Sequence, residues 1–222
     1  MRMQRRPLVV GMAILFAMVL AGCGDDDHNN TRWVYSDLSV DADITRDLGT
    51  GLLSDPFFAS DTGNVLAGIT FVLPSGPSTA DTRGFLQFPL SNIPVGAQID
   101  FASMTIFLDA VTLSETALYS PFFLDLIDTV LYPEPIVSSD YSSGYVATRS
   151  FNFMSADQGN FVEIEVTSLL REAQALTLPS FRVRIGFDNE VYQSDLSKTR
   201  GLVQIYDGAD ELFVPILRVD YR

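Results

Sequence analysis

An alternation of apolar and polar residues, with a period of two, runs through much of this 222-residue chain. In segment 180–187, the apolar Phe181, Val183, Ile185 and Phe187 alternate with Ser180, Arg182, Arg184 and Gly186. Segments 85–90, 101–109, 161–166 and 216–221 alternate in the same way. Because successive side chains of a strand point to opposite faces, this pattern predicts half-buried antiparallel strands with one apolar and one polar face. Arg182 and Arg184 are expected on the polar face.

Further strands are expected near residues 34–40, 66–73, 122–131, 145–153 and 201–206, with turn sequences between them. A helical pattern occurs only over Thr167 to Ala175, where Thr167 or Ser168 can cap and Leu169, Leu170 and Ala173 form an apolar face. About ten short strands and one short helix predict an all-β fold, an antiparallel β-sandwich or jelly roll. We expect it to form a single domain over residues 32–222.

The first 22 residues predict export from the cytoplasm. Arg2, Arg5 and Arg6 are followed by a run without charged residues from Pro7 to Gly22. That run is shorter than the roughly 20 apolar residues that a transmembrane helix needs. A basic start, a short apolar stretch and small residues at its end are typical of a secretory signal peptide. The alternative is an uncleaved N-terminal anchor.

The end of this signal, Leu20-Ala21-Gly22-Cys23, resembles the lipobox of bacterial lipoprotein precursors. The resemblance implies cleavage before Cys23, lipid attachment to its sulfur and location in the bacterial cell envelope, bound to a membrane. Cys23 is the only cysteine, so the mature domain is expected to have no disulfide. The following polar residues predict a flexible acidic tether over residues 23–31, either as a plain spacer or as a surface-export signal.

The charge of the chain narrows the classes of partner. Removal of the signal peptide with its three arginines takes the formal net charge from −14 to −17. Nucleic-acid binding depends on clusters of lysine and arginine that contact phosphates, so no nucleic-acid partner is expected.

The residue types also argue against an enzyme. The single histidine, His28, lies in the tether, and the single thiol is the expected lipid attachment site. Catalytic triads and zinc sites need such side chains. A glycosidase or lyase that uses two carboxylates is the catalytic alternative, because it requires only a suitably spaced Asp or Glu pair.

Calcium is the most plausible ion, since it binds loop carboxylates. We expect a structural calcium site at Asp207, Asp210 and Glu211, with the pairs Asp41 and Asp43 or Asp55 and Asp61 as alternatives. Hydrated turns would account for the same acidic residues.

Segment 83–99, RGFLQFPLSNIPVGAQI, is similar to the central motif of the DNRLRE domain family. Segments 101–108, 162–170 and 215–221 resemble its later strands in the expected order. The acidic, tryptophan-containing part of the family is not evident near 133–153, and residues 207–211 lack its serine–arginine–glutamate. The resemblance implies a jelly-roll module of exported bacterial proteins, related to carbohydrate-binding modules.

Sugar-binding sites combine aromatic rings with a few directed polar groups. Tyr132, Tyr141 and Tyr145 flank a segment rich in Ser and Asp, and we expect them to form a ligand-binding patch. The leading hypothesis is a non-catalytic domain that recognises a polysaccharide at the cell envelope. A structural lipoprotein that binds another envelope protein is the alternative, and a carboxylate-based glycosidase or lyase is a third.

Overall fold

A computed structural model describes residues 30–70, 80–113, 119–187, 201–208 and 212–222. Over these ranges the strands are β1 (Asn30–Tyr35), β2 (Ala42–Asp47), β3 (Phe57–Phe58), β4 (Asn64–Thr70), β5 (Ala80–Pro89), β6 (Ile99–Leu113), β7 (Tyr119–Ile127), β8 (Ala147–Met154), β9 (Phe161–Glu165), β10 (Ser180–Phe187), β11 (Gly201–Tyr206) and β12 (Ile216–Tyr221). The helices are α1 (Ala59–Thr62), α2 (Thr167–Ala175) and two 3-10 segments, Ser138–Ser142 and Ser155–Asp157. The predicted all-β class is therefore confirmed. In the described ranges, no helix is long and apolar enough to cross a membrane.

The strands form one antiparallel sheet in the order β1-β12-β6-β11-β4-β5-β10-β7-β8, with β2 added beside β5 and β9 beside β6. The sheet curls so that its two halves pack together like a sandwich. One apolar core joins the inner faces of both halves; it includes Leu86, Phe88, Leu124, Phe181, Val183, Met104, Ile106, Leu217 and Val219. Alternation therefore identified the inner faces of β5, β6, β10 and β12 correctly.

Helix α2 has the predicted bounds and buries Leu169, Leu170 and Ala173 in the core. The predicted cap is wrong, because the residue before the helix is Val166, whose side chain makes no cap. The Thr167 N–H donates to Glu165 Oε1 at 2.8 Å. The Thr167 hydroxyl instead accepts a hydrogen bond from the Ala102 backbone N–H at 2.9 Å. Thr167 therefore fastens the helix to β6 rather than capping it.

The expectation of a hydrated polar face on β10 is wrong. All eight residues of β10 are buried, and Arg182 and Arg184 are only 1% and 3% exposed. Residues 128–146, here called the covering segment, contribute the backbone carbonyls that both guanidiniums contact. The outer face of β5 and β10 is therefore buried as well, and it contains charged side chains.

Candidate functional site

The register of four neighbouring strands aligns polar and aromatic side chains on the outer face next to the covering segment. Arg184 of β10 lies opposite Phe85 of β5 on one side and opposite Asp125 of β7 on the other. Asp125 in turn lies opposite Thr148 of β8. In the next row, Gly186 lies opposite Phe123, which lies opposite Ser150. Antiparallel pairing thus fixes these groups on a rigid surface, although they are far apart in the sequence.

Arg184 organises the centre of this face. Its Nη2 lies 2.5 Å from Asp125 Oδ2, and both side chains are almost fully buried. Its Nη1 donates to the backbone oxygens of Tyr141 at 3.1 Å and Ser143 at 2.8 Å. These carbonyls belong to the end of the 3-10 helix, where backbone acceptors lack helical partners. The buried ion pair therefore also holds the covering segment against the sheet.

Arg83 lies beside this pair, between two aromatic rings. Its guanidinium carbon is 4.2 Å from the ring centre of Tyr141 and 5.5 Å from that of Phe123. Nη1 donates to the Tyr141 backbone oxygen at 2.6 Å, while among the described residues the buried Nε has no hydrogen-bond partner. Burial lowers the pKa of the guanidinium. The hydrogen bond and the cation–π contacts together fix the orientation of this charged group.

Gly186 makes this arrangement possible. A Cβ atom at this position would lie 2.4 Å from Cζ of Phe123, because the ring crosses directly over the glycine backbone. The lack of a side chain at Gly186 therefore brings the Phe123 ring down toward Arg83.

An open cleft of about 650 Å³ lies over these groups. It is lined by Arg83, Phe123, Asp125, Arg184, Ser142, Ser143, Gly144, Tyr145, Thr148 and Ser150. The Tyr145 side chain is 56% exposed, so its ring is accessible from solvent. Aromatic surface, hydroxyl groups and a guanidinium in one cleft are the combination expected of a site for a polar ligand with apolar faces.

The three predicted tyrosines have different environments. Tyr145 lines the cleft, whereas the half-buried Tyr132 accepts a hydrogen bond from the Gly144 N–H at 3.1 Å. Tyr141 is 2% exposed, and its hydroxyl donates to Asp81 Oδ2 at 2.6 Å. Burial raises the pKa of Tyr141. The structure therefore brings one of the three to the cleft and places the other two within the packing of the covering segment.

Sequence reasoning missed the floor of the cleft. The floor residues occupy outward positions on strands whose apolar and polar residues alternate, and this pattern predicts a hydrated face. They are Arg83, Phe123, Asp125 and Arg184. Arg83 is the first residue of the motif that resembles the DNRLRE family, and this is the one sequence signal that pointed to it.

Of the predicted calcium ligands, Asp207 is fully buried, and Asp210 and Glu211 lie outside the described residues. The Asp207 carboxyl contacts that of Asp41, and each has an Oδ2 that no donor from the described residues reaches. Burial, and then the charge of Asp207, raise the pKa of Asp41 well above its usual value. A proton shared by the two carboxyls satisfies this geometry. The described residues contain no group of three or more His, Cys, Asp or Glu side chains that could hold a metal ion.

Cys23, the lipobox and the tether up to Asn29 lie outside the described residues. No family model matches the chain, and no curated protein matches it. The lipobox and DNRLRE resemblances therefore rest on their sequence motifs and stay predictions.

Proposed function

We propose that this protein is a membrane-anchored lipoprotein whose non-catalytic domain binds a polysaccharide at the cell envelope. The observation that carries the proposal is the cleft, whose lining includes both the exposed Tyr145 and Arg83. The apolar face of a sugar ring stacks on an aromatic side chain, and its hydroxyls accept from a guanidinium. The cleft offers both kinds of contact.

The rigidity of the cleft supports binding. Its floor consists of paired strands, and Arg184 fixes the adjacent carbonyls of the covering segment. A site that is already formed loses little conformational entropy when a ligand binds. The cleft is thus suited to recognise a polymer segment without a large rearrangement.

The lining of the cleft also supports a role without catalysis. Glycoside hydrolysis uses two carboxyl groups on either side of the scissile bond. Among the described residues that line the cleft, Asp125 is the one carboxylate, and it is paired with Arg184. A single carboxylate held by Arg184 does not supply the pair of carboxyl groups that this reaction uses.

Attachment to the membrane through lipid on Cys23 is part of this proposal. It is supported by the lipobox sequence and by the single cysteine. Calcium at Asp207, Asp210 and Glu211 is a further expectation, which rests on the carboxylates of that segment of the sequence. Titration of the protein with calcium, read out as a rise in melting temperature, tests that expectation.

Binding of another envelope protein is the second candidate, and one feature favours it. The outer face of β1, β12, β6 and β9 carries the exposed rings of Trp33, Tyr35 and Phe161. The Phe213 ring stacks on Phe161, with ring centres 5.9 Å apart. Exposed aromatic residues are enriched at protein interfaces.

Affinity electrophoresis of the mature chain, made soluble by Cys23→Ala, tests the leading proposal against a panel of neutral and acidic envelope polysaccharides. We expect at least one polymer to retard the protein and Tyr145→Ala to weaken binding about tenfold, which corresponds to about 1.4 kcal/mol. Leu131→Ala, at a more exposed position of the covering segment outside the cleft, should bind normally. Lack of retardation by every polymer would refute the proposal.

A further inference from the structure

The tether leaves the domain at one particular end of the sandwich. Asn30, the first residue of β1, pairs with Tyr221 of β12, which pairs with Ile99 at the start of β6. Neighbouring strands are about 4.8 Å apart, so Asn30 and Ile99 are separated by about 10 Å. The turn before β6 is joined to the same end, since Gln98 and Arg222 exchange two backbone hydrogen bonds.

An apolar pocket of about 340 Å³ opens at this end. It lies between the turn after β5 and helix α2, and Leu90, Ile93, Pro94, Ile99, Leu170 and Leu178 are among its lining residues. Val95, at the tip of the turn, is 96% exposed, and Leu176 at the end of the helix is also exposed. Exposed aliphatic groups around an apolar pocket favour an apolar partner.

Hydrogen bonds hold the pocket in shape. The Arg171 guanidinium donates from Nε and Nη2 to the Ile99 backbone oxygen, at 2.9 and 2.7 Å. Gln174 Nε2 donates to the Ala97 backbone oxygen at 2.7 Å. Helix α2 thus clamps the turn that carries Val95, so the apolar surface is built into the fold.

The length of the tether limits how far this end can lie from an anchored Cys23. Seven residue steps separate Cys23 from Asn30, and an extended chain spans at most about 3.5 Å per residue. The start of β1 can therefore be no more than about 25 Å from the lipidated cysteine. Among the described elements, the pocket lies at the end of the domain nearest to this connection.

We propose that this end of the domain docks on the phospholipid bilayer, with Val95 and the pocket in contact with its acyl chains. The inference rests on the proposed lipidation of Cys23 and adds the orientation of the domain. A lipid anchor holds the domain at a high effective concentration, so a small apolar contact is enough for docking.

Docking by this end would hold the polysaccharide cleft clear of the membrane. Pro89 is at the pocket end of β5, and Arg83 lies six residues before it. Six residues of an extended strand span about 20 Å. A cleft at this distance can reach polymers of the envelope while the anchor remains in the bilayer.

Spin labelling tests the orientation. Lipidation occupies the single native thiol, so Val95→Cys supplies one free thiol for a nitroxide in the lipidated protein, reconstituted in vesicles of phosphatidylethanolamine and phosphatidylglycerol. Leu52→Cys is the matched control, because Leu52 is 70% exposed and follows β2 at the opposite end of the sandwich. The ratio of oxygen to water-soluble nickel accessibility should be several-fold higher at position 95 than at position 52.

The outcomes separate this inference from the proposed anchor. Mass spectrometry of the purified protein establishes whether Cys23 carries lipid. Lipid on Cys23 together with a fully hydrated label at position 95 would refute the docking and leave the anchor intact. Absence of the lipid would refute both. Spin–spin broadening at position 95 would indicate contact between two copies and would also overturn the proposal.

Discussion

The two outer faces of the curled sheet have the same alternating sequence pattern and opposite environments. On the face of β5, β10 and β7, the covering segment encloses Arg182, Arg184 and Asp125. On the face of β1, β12, β6 and β9, Arg218 remains partly exposed and lies 5.7 Å from the Trp33 ring centre. We call these the covered face and the open face. Burial of a strand's polar side therefore depends on whether another segment of the chain packs over it.

The largest expected difference between the faces is in how much their ion pairs contribute to the free energy of unfolding. Arg184→Ala should lower the free energy of unfolding by about 3–5 kcal/mol, because it leaves Asp125 buried and unpaired and frees carbonyls of the covering segment. Arg218→Ala breaks its 2.8 Å contact with Asp220 on the open face and should change stability by less than about 1 kcal/mol. Urea unfolding of both variants measures the difference. Equal losses would show that the covered face is as hydrated as the open one.

Gly186 tests the packing of the covered face directly. Gly186→Ala should destabilise the protein by about 1–3 kcal/mol, since its Cβ would overlap the Phe123 ring. It should also disturb the cleft and weaken polysaccharide binding. The double variant Gly186→Ala, Phe123→Leu removes the ring and should recover stability. Failure of this recovery would mean that something other than Phe123 opposes the new methyl group.

The pH dependence of stability should have opposite signs at two carboxyls that differ in burial, Asp43 and Glu165. Burial raises the pKa of Asp43, next to β5, to about 6, whereas hydrogen bonds from Thr167 and Arg149 lower that of Glu165 on the open face. The Asp43 carboxyl has a pKa of about 4 in the unfolded chain and a higher pKa in the folded protein. Its contribution to stability is therefore fully present below pH 4 and is lost as the pH rises through 6. The Glu165 contribution is present above its usual pKa and is lost as the pH falls.

Asp43→Asn should therefore raise the free energy of unfolding by about 1–2 kcal/mol at pH 8 and leave it nearly unchanged at pH 4. The Asn side-chain oxygen can still accept from the Leu66 N–H, which contacts Asp43 at 3.1 Å. Thermal unfolding across this pH range measures the effect. A variant-minus-parent difference that does not change with pH would show that Asp43 ionises normally.

The sequence could predict one side of each strand and could not predict the other. Burial of Val183 and Ile185 could be predicted, because the apolar side of a strand is stable only when it packs in a core. Helix α2 could be predicted from the helical spacing of its own apolar residues. Burial of Arg184 depends on carbonyls some forty residues away in the chain, for which local periodicity contains no information. The same holds for the contact of Asp41 with Asp207. Tyr145 could be proposed from composition, but Arg83 below it could not.

A further variant on the open face has a small expected effect on stability and separates the two candidate functions. Phe161 is 53% exposed and packs against Phe107 and Phe213, with ring centres 5.2 and 5.9 Å away, so Phe161→Thr should cost about 1–2 kcal/mol. If the cleft binds polysaccharide, this variant should bind normally in affinity electrophoresis. If the open face instead binds an envelope protein, Phe161→Thr should lose a crosslinked partner in cells that Tyr145→Ala retains. Because each variant alters a half-exposed ring, the pair distinguishes the two faces without unfolding either one.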